Sequence, residues 1–162
     1  MQLFAKEMLD DLSLQAKNSP RLRSNRNIHT SLEETVQRLF IAIEPGSYVQ
    51  PHRHPEVEKW EFFMVVRGKI AMIIFSEKGY VLKRIELNPA TGMHGLEIPP
   101  NTWHTVVALE TNTVFFEVKH GPYAALTDKD FAAWAPKEGH DACNKYLEWL
   151  SNAQEDEKTP KF

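Results

Sequence analysis

Cysteine is almost missing from this chain. The single Cys143 among 162 residues allows no disulfide within the chain, and it lies far in sequence from the histidines, which excludes a cysteine-built zinc site. Long apolar runs are missing too. Lys6, Glu7, Asp10 and Asp11 break up residues 1–20, which denies that segment the core of a signal peptide or a membrane span, and no later run is long enough. With a lone thiol, the expectation is a reducing, cytoplasmic setting with no membrane partner. Basic charge is in short supply: 19 Lys and Arg stand against 22 Asp and Glu, for a net charge of -3. No basic block is interleaved with aromatics, so nucleic acid is not an expected partner. The one basic cluster, Arg21-Leu-Arg23-Ser-Asn-Arg26, reads as a solvated connection. The chain lacks a Gly-x-Ser-x-Gly elbow, a Gly-rich phosphate loop and a His-Glu-x-x-His helix, which removes serine hydrolase, nucleotide hydrolase and zincin chemistries.

What is present divides the chain by hydrophobic period. Phe4, Met8, Leu9 and Leu12 recur at helical spacing before Pro20, which predicts an N-terminal helix within residues 1–20. Six short runs rich in β-branched and aromatic residues follow: Val36 to Ile43, Trp60 to Val66, Lys69 to Phe75, Tyr80 to Leu87, Trp103 to Leu109 and Thr113 to Lys119. Turn residues separate them, as in Glu44-Pro-Gly46, Arg67-Gly68, Ser76-Glu-Lys-Gly79 and Asn88-Pro89. The expected class is mainly β, a single-domain barrel or sandwich spanning residues 21–125. Residues 126–153 read as a C-terminal helical segment, with Phe131 and Trp134 on one piece and Tyr146, Leu147, Trp149 and Leu150 on another, and the charged tail 154–162 is expected to be disordered.

The chemistry is concentrated in Gly46-Ser-Tyr-Val-Gln-Pro-His52-Arg-His54 and Pro99-Pro-Asn-Thr-Trp-His104. In an extended chain His52 and His54 share a face and Arg53 takes the other, so two imidazoles can reach one ion. Glu61 and His104, each at the start of a strand, can complete its shell, with Glu58 as the rival carboxylate. Imidazole and carboxylate without thiolate suit one borderline or hard divalent cation (Zn, Fe, Mn or Ni) with positions left for water or substrate.

These residues resemble a family pattern. Gly46-x5-His52-x-His54, with Glu61-x6-Gly68, is similar to the first motif of the cupins, and Pro99-x-Asn101-x-x-His104 to the second. The interval from His54 to Glu61 is longer than usual, Asn101 stands where the second motif has glycine, and Ala108 replaces its asparagine. The spacing to Gly68 favours Glu61 over Glu58. Arg23-Ser-Asn25-Arg-Asn27-Ile-His29, Lys59-Trp-Glu61, Glu97-Ile-Pro-Pro-Asn-Thr-Trp-His104 and Glu117-Val-Lys119 further resemble WbuC-type cupin-fold metalloproteins, a likeness running from about Arg21 to Glu138. The resemblance implies a cupin-type β-barrel (a double-stranded β-helix or jelly roll) with flanking helices, holding its metal on His52, His54, Glu61 and His104. It also implies an association with bacterial surface-polysaccharide gene clusters and a homodimer.

The expected function is a metal-dependent isomerase or epimerase acting on a small sugar-derived molecule. The alternatives are a non-catalytic binding module and an iron-dependent dioxygenase. His29 and Tyr48 are the candidate general bases. Arg23, Asn25 and Asn27, which alternate with one another, and Arg38 and Lys119 are the candidate substrate contacts. Trp60 and Trp103, beside the candidate ligands, are expected in the core or at an interface rather than in a pocket, and His94, His120 and His140 on the surface.

Overall fold

The computed structural model describes all of residues 1–162. Eight antiparallel strands form two sheets packed face to face: β1 (Arg23–Asn27), β2 (Val36–Ile43), β3 (Glu61–Arg67), β4 (Ile70–Phe75), β5 (Val81–Leu87), β6 (Gly95–Ile98), β7 (Trp103–Ala108) and β8 (Thr113–His120). One sheet has the order β1-β2-β8-β3-β6 and the other β5-β4-β7. Helices α1 (Lys6–Asn18) and α2 (Cys143–Asn152) lie outside them. The mainly β barrel with helices at both ends agrees with the sequence expectation. No helix is long and apolar enough to cross a membrane.

The alternation of each strand separates three apolar layers. Inward positions of both sheets, among them Ile43, Phe63, Val65, Ile70, Met72, Val106 and Phe115, fill the barrel. The outer face of the larger sheet, Phe40, Ala42 and Val114, is covered by Leu12 and Ala16 of α1. The outer face of the smaller sheet, Ile73, Phe75, Trp103 and Val107, is covered by Tyr146, Leu147 and Leu150 of α2. Arg67 pins α1 in place: its guanidinium donates to Asp10 at 2.6 Å, to Ser13 Oγ at 2.7 Å and to the Leu9 carbonyl at 3.0 Å. Gly68 turns β3 into β4 at φ +78°, where a side chain would run into Thr113.

Two expectations are corrected here. Between residues 126 and 142 only Asp128–Asp130 makes a helical turn. Phe131 bridges to His52 in extended form, and Trp134 packs on Phe75 with ring centroids 4.9 Å apart. Pro136 and Gly139 interrupt any longer helix there. Residues 154–162 do not fray: Val81 donates to the Glu157 carbonyl, Thr159 donates to that of Gly79, and the Thr159 hydroxyl meets Tyr146 Oη at 2.5 Å. The tail thereby covers the edge that β5 would otherwise expose.

Candidate metal centre

Two distant pieces of backbone create the centre by pairing with each other. His52 and His104 exchange both backbone hydrogen bonds, at 3.0 and 2.9 Å, and Asn101 N–H donates to the His54 carbonyl at 2.7 Å. Asn101 sits at φ +58°, a left-handed conformation that asparagine tolerates. Arg53, on the opposite face from its neighbours, stacks on Trp103 at 4.4 Å and pairs with Glu77 at 3.0 Å. Trp103 also bonds Glu77 through its indole N–H, outside the barrel.

His52, His54, Glu61 and His104 thus converge, with one ligand-type atom from each lying within 4.8 Å of all the others. Glu61, 3% exposed, places its carboxylate oxygens 3.2 Å from His54 Nε2 and 3.1 Å from His104 Nε2. Donors bound at about 2.1 Å to one ion stand about 3 Å apart, so this spacing fits a shared centre. Glu58 is exposed and turns to His120 at 3.6 Å.

Three observations show that the residues present fit a cation. First, His52 Nδ1 lies 2.9 Å from the Gln50 carbonyl and His104 Nδ1 2.9 Å from that of Thr102, which places the protons on Nδ1 and aims the Nε2 lone pairs inward. Second, His54 Nε2 and Glu61 Oε2 are buried with no aligned hydrogen-bond partner. Third, Lys119 lies opposite Glu61 in the β3–β8 register, 3.5 Å from it and 2.6 Å from Glu117 Oε1. Two buried carboxylates share one ammonium, which leaves a net negative charge that a cation would balance.

The electrostatics follow from this crowding. Burial pushes the His52 imidazole down to about 3, and His104 beside it adds to the effect. Burial alone would raise the Glu61 carboxyl, but the His104 and His54 imidazoles and the Lys119 ammonium hold it well below the usual carboxylate range. Burial likewise opposes charge on His104 and Lys119, and in both the neighbouring carboxylates reverse the sign and leave the group raised.

The cluster opens into a cavity of about 290 Å³ whose deeper wall is apolar, with Phe63, Met72, Val106 and Phe115, and whose mouth carries Gln37, Glu117, Lys119 and His120. Glu117, 5% exposed, was not among the sequence candidates. Its two-residue spacing from Lys119 and from Phe115 was the signal, since alternation puts all three on one face. His120, expected on the surface, stands at the mouth; His94 and His140 are exposed.

The other candidates divide. Lys119 and Arg23 line the cavity, while Asn25, Asn27 and His29 line an adjoining groove. Tyr48 does not reach the cavity: Pro51 breaks its alternation with His52, its hydroxyl donates to the Pro136 carbonyl at 2.7 Å, and burial raises its pKa, so it is no base. Arg38 lies on the outward face of β2, between inward Gln37 and Leu39, and pairs with Glu34 at 3.0 Å. His29 accepts the Arg38 backbone N–H on Nδ1 at 3.0 Å; the Arg38 carbonyl already receives Ile28 N–H. In that tautomer His29 Nε2 carries the proton and is a donor rather than a base. Trp103 is buried in the layer beneath α2.

A family model described as a domain of unknown function (DUF6016) matches residues 4–87. No curated protein sequence matches the chain. Among solved structures, a cupin-2 domain from Rhodospirillum rubrum is similar, with TM-score 0.52 and 16% identity over 83% of this chain and 84% of that one. The structure of KdgF from Halomonas sp. is similar at TM-score 0.50 and 17% identity, covering 65% of this chain and 84% of that one. Both likenesses concern the fold.

Proposed function

The chain belongs to the DUF6016 family and has the cupin fold, and on that premise we propose that it is a metal-dependent enzyme holding one divalent ion on His52, His54, Glu61 and His104. The reaction proposed is an isomerisation or epimerisation of a small sugar-derived substrate, in a cytoplasmic homodimer serving surface-polysaccharide synthesis, as the likeness to WbuC-type cupins implies. When bound, the ion supplies Lewis-acid polarisation of a carbonyl or hydroxyl oxygen.

The chain's own residues supply the remaining parts. Glu117, which lines the cavity beside the cluster, takes a proton from the substrate carbon or hydroxyl and returns it. Lys119 pairs with Glu117 at 2.6 Å and orients its carboxylate. The apolar wall of Phe63, Val106 and Phe115 keeps water from the reacting atoms. The observation that carries the enzyme reading over a binding module is this buried Glu–Lys pair, since a cavity that only holds a ligand needs no group able to move a proton.

The test combines elemental analysis of protein purified without added metal with a screen of free and nucleotide-linked sugars in deuterated water. We expect near one ion per chain, deuterium incorporation or an isomerised product, and a loss of about 10²- to 10⁴-fold in rate for Glu117→Gln with metal retained. Turnover unaffected by Glu117→Gln overturns the base assignment. Tight binding with no exchange supports the binding module instead, and oxygen uptake by iron-loaded protein supports the dioxygenase.

A further inference from the structure

Next to the metal-centre cavity, and sharing with it Arg23, Gln37, Ile41, Glu117, Lys119 and Tyr123, a second hollow of about 480 Å³ runs along β1. We propose that this groove is a second ligand subsite, one that takes a neutral polyhydroxylated unit, such as another saccharide ring, attached to the unit held at the metal centre. The inference rests on the proposed function in that the first unit is taken to lie at the metal centre. The recognition chemistry of the groove stands on its own residues.

The walls decide the class of ligand. The cations in the groove are already paired: Arg21 Nε lies 2.6 Å and Arg23 Nη2 2.8 Å from one shared carboxylate, Glu138, and Lys119 lies 2.6 Å from Glu117. An anionic ligand would have to displace these partners, so a phosphate or carboxylate gains little here. What remains unused is neutral. His29, 8% exposed, has its Nε2 buried without a partner and lines the groove. In the tautomer whose Nδ1 accepts the Arg38 backbone N–H, Nε2 is a hydrogen-bond donor. Asn25 Nδ2 donates to Asn27 Oδ1 at 2.9 Å, which locks the two amides and leaves Asn25 Oδ1 as an acceptor and Asn27 Nδ2 as a donor. Leu32, Leu39 and Ile41 supply apolar surface, and Tyr123, 53% exposed, a ring on which a sugar face can lie. Paired amides, one oriented N–H and an aromatic face make a balanced set of donors, acceptors and apolar contact, which matches hydroxyls on a carbon ring.

The strand explains why such residues stand here. β1 contains no apolar side chain and pairs only with β2, so as an edge strand it adds nothing to the core. Its sequence is therefore open to ligand recognition.

The test titrates metal-loaded protein with maltose, cellobiose and lactose, and separately with glucose, galactose and glucose 6-phosphate, following calorimetry and backbone amide shifts. At least one disaccharide is expected to bind about tenfold or more tightly than its monosaccharides, with shifts at Asn25, Asn27 and His29. That preference is expected to collapse in Asn27→Ala and in His29→Asn, which keeps an acceptor for Arg38 N–H but withdraws the donor from the groove, and to return in part in His29→Gln. Disaccharides no tighter than monosaccharides, shifts confined to other surfaces, or a stronger gain from the phosphate group than from the second ring overturns the proposal. Should the protein hold no metal, the proposed function fails while the groove is still read from disaccharide shifts in the metal-free protein.

Discussion

Along β8 the inward positions run Thr113, Phe115, Glu117, Lys119, and along β3, antiparallel beside it, they run Glu61, Phe63, Val65. Each strand thus carries uncharged residues toward one end of the barrel and charged ones at the other. Phe115, 1% exposed, and Glu117, 5% exposed, are separated by one residue on the same face of the same strand. At the floor, burial is a gain proportional to area, of roughly 25 cal/mol per Å² of apolar surface. At the mouth, burial of Glu61, Glu117, Lys119 and three imidazoles is a cost that only pairing or a cation offsets. The contrast teaches that stability and chemistry occupy one interior without competing, because polarity changes along the strand axis while the pleat stays the same.

The largest expected effect attacks the floor. Phe115→Ala removes a ring packed against Phe63, with centroids 5.6 Å apart, and is expected to cost about 3–5 kcal/mol of stability in denaturant titration. What remains folded should keep its metal content. Next comes the mouth: Glu61→Gln is expected to weaken metal binding by at least about 100-fold, or about 2.8 kcal/mol, by competition with a chelator. The metal-free forms of this variant and the parent chain should differ far less than the Phe115 variant does. If Phe115→Ala abolished metal binding in the folded protein, or Glu61→Gln unfolded the metal-free chain, the two ends would not be separable.

The same contrast explains what the sequence made legible. Strands that feed the floor announce themselves: Val36 to Ile43 coincides with β2, and the five other expected strands match β3, β4, β5, β7 and β8 to within a residue or two at each end. The elements that serve the mouth were harder to see. β1 has no hydrophobic period because its residues face the groove and solvent, and β6 is only Gly95–Ile98. The imidazoles were visible because few chemistries require His-x-His with a later histidine. Glu117 was not, because a carboxylate inside a strand signals function only once the inward face is known, and alternation alone leaves that face undetermined. Tyr48 misled by its parity with His52, which Pro51 breaks.

A smaller effect tests whether the layer under α2 belongs with the floor. Tyr48 donates to the Pro136 carbonyl and packs edge-on against Tyr146, centroids 6.0 Å apart. Tyr48→Phe deletes one buried hydrogen bond and is expected to cost about 1 kcal/mol in denaturant titration. Metal affinity and any turnover should stay as in the parent chain; a large loss of either would return Tyr48 to the site.

The smallest effect concerns the rim above the mouth, which polar contacts hold where apolar packing holds the floor. Gln37 Nε2 donates to the Glu34 carbonyl at 2.8 Å and to that of Leu32 at 3.2 Å, while Glu34 accepts Thr30 N–H at 2.7 Å and the Thr30 hydroxyl at 2.8 Å. The Thr30 backbone and hydroxyl donors hold the Glu34 carboxyl down at about 2. A carboxyl depressed in the folded state stabilises fully above its ordinary value near 4.5 and loses that contribution as the pH falls toward about 2. The protection of the Thr30 amide, taken as its exchange relative to the intrinsic rate at each pH, should therefore fall between pH 4.5 and about 2, while core amides such as Phe115 keep theirs. Glu34→Gln should start with the lower protection and show little of that acid step. Thr30 and Phe115 losing protection together through the step would mean that rim and floor open as one unit, and the division along the strands would be chemical without being mechanical.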